Sequence, residues 1–446
     1  MKKRHNPFLT VLVTLLCLAL IVGAVYLLMQ VIPAKRPAAV SKLETSAVFE
    51  EPPAAVEPER EAAYEGELPA VLPEQSQPEP EPQPEAETPP VSDPADDPTE
   101  KAQLVLAAMT EEEKLWQLFF VTPEALTGYD AVTQAGEATK AAIEEKPVGG
   151  LIYFTPNLLD AAQTQQMLQN TQSYSKIPLF LATDEEGGTV QRIGSNPALG
   201  GQAVEPMRTY GQQADPAAVY DAGAVLAENL TNLGFNLDFA PSADVAASAA
   251  SVIGSRSFGS DPELVSALSG VLARSLTDHG VIPCMKHFPG YGSAVTDDHS
   301  GRSVSKRTLE ELESCDLLPF ADAVGEATDI PFIMVSHLSF PEITGDDTPA
   351  DLSPLIVSEL LRNKLEYQNV IITDAQNMGA VTDTCDAAEA AVRALEAGCD
   401  MLLCPADLQS AYDGIAAALE SGRLDWQRIE QSLLRILTVK ARYGLF

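Results

Sequence analysis

His299 follows Asp297 by two residues in a stretch rich in small residues, Gly290-Tyr291-Gly292-Ser293-Ala294-Val295-Thr296-Asp297-Asp298-His299. A loop can fold so that such a carboxylate meets the imidazole, orients the ring and raises its pKa. A histidine poised in this way can give up a proton and take one back near neutral pH, as general acid–base catalysis requires. Asp374 closes the apolar run 370–374. A carboxylate fixed at a strand end suits a separate nucleophile working beside that histidine. Other apolar runs also end in polar groups. Asp184 is followed by Glu185-Glu186-Gly187-Gly188, and Lys286-His287 and Ser336-His337 close two further runs. Asp244 follows a fourth, and Arg256 lies in Ile253-Gly254-Ser255-Arg256-Ser257-Phe258-Gly259.

Each of these residues has a plainer reading when taken alone. An Asp after a strand is often the N-cap of the next helix. Lys286 can pair structurally with an acid, and His337 fits a hydrogen-bonded core histidine. His279 precedes Gly280 at a helix end, where a structural or dipole role is the default. Catalysis is favoured because the strand ends would converge on one small volume. No His-x-His pair, no pair of histidines at helical spacing and no glycine-rich phosphate loop is present, so neither a metal nor a cofactor is expected.

The elements that must position these groups are eight short apolar runs near 118–121, 150–154, 179–184, 236–240, 282–287, 332–337, 370–374 and 401–404. Several lack alternation, as expected of strands covered on both faces. Between them lie helical patterns, among them 216–233 and 386–397. Eight βα repeats predict an α/β fold, a single (β/α)8 TIM-type barrel with its site at the C-terminal ends of the strands. The first run has a helical alternative, because Thr110-Glu111-Glu112-Glu113 reads as an N-cap and an acidic first turn.

The 446 residues exceed one barrel, and their apolar content is unevenly spread. Residues 1–36 read as an N-terminal membrane anchor. Lys2, Lys3 and Arg4 precede an uncharged apolar stretch long enough to cross a bilayer, with the N-terminus inside. Residues 37–99 read as a disordered acidic Pro- and Glu-rich linker in which Lys42 and Arg60 are the only cations. Residues 100–446 form the barrel. The chain would be a single-pass protein of the cell membrane with its barrel outside the cytoplasm. A net charge of −36 excludes nucleic acid as a partner. Cys284, Cys315, Cys385, Cys399 and Cys404 read as small core residues rather than a disulfide framework; a Cys399–Cys404 bridge is not indicated.

Lys286-His287-Phe288-Pro289-Gly290-Tyr291-Gly292, followed after four residues by Asp297-Asp298-His299, resembles the signature K-H-F-P-G-H-G-x-x-x-x-D-S-H. That signature belongs to family-three glycoside hydrolases, in their β-N-acetylglucosaminidase branch. Met109-Thr110, Gln117-Leu118-Phe119, Gly149-Gly150-Leu151-Ile152, the stretch after Asp184, Asn236-Leu237-Asp238-Phe239-Ala240-Pro241, Arg256-Ser257-Phe258-Gly259 and Thr373-Asp374-Ala375 agree with it. The resemblance covers nearly all of 100–446 and neither preceding segment. It implies a retaining double displacement. Asp374 would be the nucleophile and His299 with Asp297 the acid/base dyad, while Asp184, Arg192, Arg256, Lys286 and His287 would bind the sugar. Tyr291, Asp298 and Ser303 depart from the usual His, Ser and Pro.

The function so implied is removal of terminal β-N-acetylhexosamine from a glycan through a covalent glycosyl-Asp intermediate. The alternatives are a β-glucosidase, β-xylosidase or glycoside phosphorylase of the same fold, or a barrel that binds glycan without turning it over. The sequence is silent on oligomeric state.

Overall fold

A computed structural model describes residues 97–246, 251–294, 302–325 and 329–446. The expected anchor, the linker up to residue 96, and Asp297 and His299 lie outside the described residues. Among the described residues no helix is long and apolar enough to cross a membrane.

All eight apolar runs contain a strand. They are β1 (Phe119–Val121), β2 (Gly150–Ile152), β3 (Phe180–Thr183), β6 (Leu237–Asp238), β7 (Ile282–Phe288), β8 (Phe332–Val335), β9 (Val370–Thr373) and β10 (Leu402–Leu403). A small antiparallel hairpin, β4 (Glu185–Gly187) and β5 (Val190–Gln191), sits in the loop after β3. The large sheet runs β10-β1-β2-β3-β6-β7-β8-β9, and every neighbouring pair is parallel. A parallel bridge between Ile372 and Met401 brings β9 back to β10, so the strands go round in a barrel-like ring. Both readings of the first run hold in succession. Thr110 caps a short helix, Glu111–Trp116, through a reciprocal pair of hydrogen bonds with Glu113, and β1 follows. The fourth strand proper is two residues long, but its backbone contacts continue, with the Cys284 N–H donating to the Ala240 carbonyl and the Lys286 N–H to the Pro241 carbonyl.

Helices alternate with the strands and carry consistent end signals. Asp215, Asp261, Asp386, Asp407 and Asp425 each accept a backbone N–H at a helix start. Gly234, Gly398 and Gly422 close helices in the left-handed region. The expected helices appear as Pro216–Leu233 and Ala387–Ala397. The first described helix, Pro98–Ala108, packs against the last, Trp426–Arg442.

Every barrel-strand residue is buried. The interior is filled by aromatic rings. Phe120 lies 5.2 Å from Phe239 and Phe180 lies 5.1 Å from Phe332, centroid to centroid. Gly150 makes room for this layer, since a Cβ there would come within 2.6 Å of the Phe120 ring. Cys284, Cys399 and Cys404 are buried and Cys315 and Cys385 partly so; all five are free thiols, and no Cys399–Cys404 bridge forms.

Candidate active site

A cavity of about 460 Å³ opens where the strands end. Asp184, Arg192, Arg256, Lys286, His287 and Asp374 all line it, so the structure brings together six of the eight expected site residues. The other two, Asp297 and His299, belong to residues 295–301, outside the described residues. The stretch leading to them begins at Tyr291, which lines the cavity. The flanks of that loop are tied together by the hydroxyls of Ser293 and Ser305, 2.7 Å apart.

Asp184 directly follows β3, and the hairpin after it has a specific local cause. Gly187 and Gly188 take φ of 88° and 60°, which glycine adopts without strain. A side chain at Gly188 would also strike Pro206, with a Cβ 2.8 Å from its Cα. Along β4 successive residues face opposite ways. Glu185 turns away from the cavity and accepts the N–H groups of Ile193 and Gly194 at 2.8 and 2.7 Å. Glu186 turns in. Its carboxylate takes both Nε and Nη2 of Arg256 at 2.8 Å and Nζ of Lys286 at 2.7 Å. Lys286 also reaches Asp184 at 2.9 Å, and Arg192 closes on the other Asp184 oxygen at 3.3 Å.

These groups form one alternating chain of charge, Arg192–Asp184–Lys286–Glu186–Arg256, around one side of the cavity. Burial alone would raise the Glu186 carboxyl, but the adjoining Arg256 and Lys286 hold it well below the usual carboxylate range. Burial opposes the charge of Lys286 as well, and Asp184 and Glu186 more than restore it. Beneath them Asp238 is sealed from solvent. Burial holds its carboxyl well above the usual range.

His287 is fixed from two sides. Its Nδ1 lies 2.7 Å from Asp244 Oδ2, and its Nε2 lies 3.3 Å from Arg256 Nη2. A guanidinium only donates, so this contact suits the tautomer with its proton on Nδ1. Asp244 also accepts the Tyr291 N–H at 2.6 Å, which joins the start of the loop leading to His299 to the residues that line the cavity.

Asp374 stands opposite, immediately after β9. Its backbone N–H donates to Val335 and its Oδ1 accepts the Ala375 N–H at 2.7 Å. The N-cap reading does not apply, since Met378 occupies the N-cap of the next helix, Gly379–Thr382. Burial alone would raise the Asp374 carboxyl. The positive fields of His337 and Lys286 and the Ala375 N–H outweigh it, and the group is held below its ordinary range. Asp374 is thus an ionised, enclosed carboxylate with no cation hydrogen-bonded to it among the described residues.

The sequence reading assigns no role to Glu186, Asp244 or Asp351. Glu186 had a signal, since only one of two adjacent acids in a hairpin strand can face the cavity. Asp244 had the signal of following the fourth apolar run, and Asp351 had none beyond being an acid in a loop. His337 is the buried, hydrogen-bonded histidine expected of a core position, and it sits behind Asp374. His279 ends the helix Pro262–Asp278, with Nδ1 2.8 Å from the Ser275 carbonyl.

The mouth of the parallel barrel thus holds a carboxylate and a chain of charged hydrogen-bonding groups around one cavity. The chain belongs to glycosyl hydrolase family 3: residues 110–439 match the family's N-terminal domain. It is 32% identical over 328 residues to β-hexosaminidase A of Pseudoalteromonas piscicida, covering 67% of this chain and 54% of that protein. It is 33% identical over 346 residues to the β-hexosaminidase LpqI of Mycobacterium tuberculosis, covering 75% of this chain and 84% of the relative. Among solved structures, a family 3 β-N-acetylglucosaminidase from Paenibacillus sp. superposes with a TM-score of 0.70 at 32% identity, over 76% of this chain and 63% of that one. The chain therefore spans little more than half the length of the Pseudoalteromonas relative.

Proposed function

We propose that this protein is a retaining, exo-acting glycosidase that removes terminal β-linked N-acetylhexosamine, N-acetylglucosamine in particular, from amino-sugar glycans such as cell-wall fragments. The observation that carries this reading is the position of Asp374: ionised, enclosed, and across a sugar-sized cavity from the Arg192–Asp184–Lys286–Glu186–Arg256 chain. Family membership and the hexosaminidase names of the relatives support it.

In the proposed mechanism Asp184, Lys286, His287, Arg192 and Arg256 take the ring hydroxyls. Arg192 Nε is buried and has no partner among the described residues, which leaves a donor for one of them. The ring is thereby held with its anomeric carbon toward Asp374. One Asp374 oxygen attacks that carbon while His299, oriented by Asp297, protonates the departing oxygen. The glycosyl ester forms and the aglycone leaves. His299, now neutral, takes a proton from water, which attacks the same carbon and releases Asp374. Two inversions give net retention.

We further assign residues 1–36 to a membrane anchor and 37–96 to an extended acidic spacer, which would hold the barrel clear of the outer face of the membrane; the expected end of the spacer at 99 moves back because the helix Pro98–Ala108 already includes 98 and 99. The enzymatic reading is tested with an aryl β-N-acetylglucosaminide and an aryl β-glucoside. Preferential turnover of the first, with a β-configured first product and a fluorinated analogue trapped on an Asp374 peptide, is expected. An α-configured first product, or a label elsewhere, would overturn it. The topology is tested by protease treatment of intact cells: cleavage within 37–96 supports it, and protection until lysis refutes it.

A further inference from the structure

Ser336-His337 follows β8, one strand before the proposed nucleophile, and His337 is almost fully buried. Both of its ring nitrogens face oxygen. Nε2 lies 2.9 Å from the carbonyl of Ala375, the residue whose N–H contacts Asp374. Nδ1 lies 3.0 Å from Oδ1 of Asp351, in the short turn Ala350–Leu352. A carbonyl oxygen can only accept, so Nε2 carries a proton. The neighbour of Nδ1 is a carboxylate at ion-pair distance, and neither that nitrogen nor either Asp351 oxygen has an aligned hydrogen-bonding partner among the described residues. A ring protonated at both nitrogens suits both contacts, a donor toward the Ala375 carbonyl and a cation beside a carboxylate. The turn is itself tied to this place, since the Asp351 N–H donates to the Ser336 carbonyl at 3.2 Å.

We propose that His337 and Asp351 form a positioning pair for the nucleophile: a standing imidazolium holds the Ala375 carbonyl and places a fixed positive charge behind Asp374. The proposal rests on Asp374 being the nucleophile. Its consequence is direct. The carboxylate is charged before attack, neutral as the glycosyl ester, and charged again when it leaves. A fixed cation behind it keeps the resting form ionised in a buried pocket and favours its departure from the ester. Burial opposes the charge on His337, but Asp351, Asp374 and the Ala375 carbonyl raise its pKa to about 9. The groups facing Asp374 are His337, His287, Lys286 and the Ala375 N–H, with the Cys284 and Cys404 thiols also within its field. Asp351 is likewise within range of the Cys385 and Cys399 thiols.

The test compares the full chain with His337→Gln and Asp351→Asn on an aryl β-N-acetylglucosaminide across pH 4–9. Gln keeps a neutral donor toward Ala375. Asn leaves the ring in place and removes the carboxylate that keeps it charged. Loss of the cation raises the Asp374 pKa, so the acidic limb of kcat/KM should move to higher pH by about one unit, more for His337→Gln. Release of the glycosyl group should also slow, giving a burst of aryl alcohol. Histidine ¹⁵N spectra of the unsubstituted protein should show one imidazolium with both nitrogens protonated at pH 8, and its absence would overturn the proposal even if neither variant folds. An unmoved acidic limb in a folded variant would do the same. Failure of the unsubstituted enzyme to turn over the substrate would instead sink the functional reading.

Discussion

Lys286 and Glu186 meet at 2.7 Å within the barrel mouth, and both are almost sealed from solvent. Neither is an isolated pair member. Glu186 also holds Arg256 bidentately, and Lys286 also holds Asp184. The one Glu186 carboxylate therefore sets the spacing of two cations that the proposed mechanism assigns to the sugar. Glu186→Ala should leave both facing each other in a buried site, a cost of about 3–5 kcal/mol. Glu186→Gln keeps an acceptor and should cost less, while still raising KM more than it lowers kcat. Denaturant unfolding beside steady-state kinetics checks both; an Ala variant of unchanged stability would contradict this account.

Asp374 contributes no side-chain hydrogen bond beyond the one it accepts from Ala375. Its removal should therefore leave the fold nearly intact. Asp374→Ala should lower kcat by at least about 10⁴-fold, because the groups that remain still bind sugar but cannot form the ester. Binding of the reaction product, followed by calorimetry, should persist. Loss of both binding and thermal stability would make Asp374 a structural residue.

His299 is assigned to proton transfer, which predicts a dependence on the leaving group. A poor leaving group needs the proton in the transition state, and a nitrophenolate scarcely does. His299→Ala should slow an alkyl or sugar aglycone by about 10²–10⁴-fold, and an activated aryl glycoside far less in the first step. Equal losses on the two substrates would remove His299 from the acid role.

The barrel was legible because its strands are covered on both faces. Each reads as a short unbroken apolar run, and 282–287 became the fully buried β7, Ile282–Phe288. The residues that line the cavity were legible where a strand places them, at Asp184, Lys286, His287 and Asp374. What lay between strands was not. The hairpin Glu185–Gln191 is too short for any periodicity, and Gly187-Gly188 has meaning only through its positive φ. The partnerships Asp244–His287 and Asp351–His337 join separate βα units, so no sequence spacing encodes them. His337 in isolation has the features of an ordinary core histidine. Its relation to the nucleophile emerges only when β8 and β9 lie side by side.

Lys440 tests the far side of the same barrel. It lies in the last helix with no exposure, its Nζ 2.8 Å from Gln117 Oε1 and 4.9 Å from the Phe180 ring centroid. Among the described residues no carboxylate pairs with it, and burial lowers its pKa to about 7. An unfolded lysine titrates near 10.4. Between those values the unfolded chain binds more protons than the folded one, so stability should rise with pH from about 7 to about 10. Below pH 7 the full cost of burying the charge is present, reduced in part by Gln117 and Phe180. Lys440→Met should be more stable than the parent near pH 7 by about 2 kcal/mol, after the cost of leaving Gln117 Oε1 unpaired. The advantage should shrink as pH rises and vanish or reverse near pH 10. Denaturant midpoints for both proteins at pH 6, 7, 8, 9 and 10 would show it. A difference between them that stays constant across that series would mean that Lys440 keeps its proton within the fold.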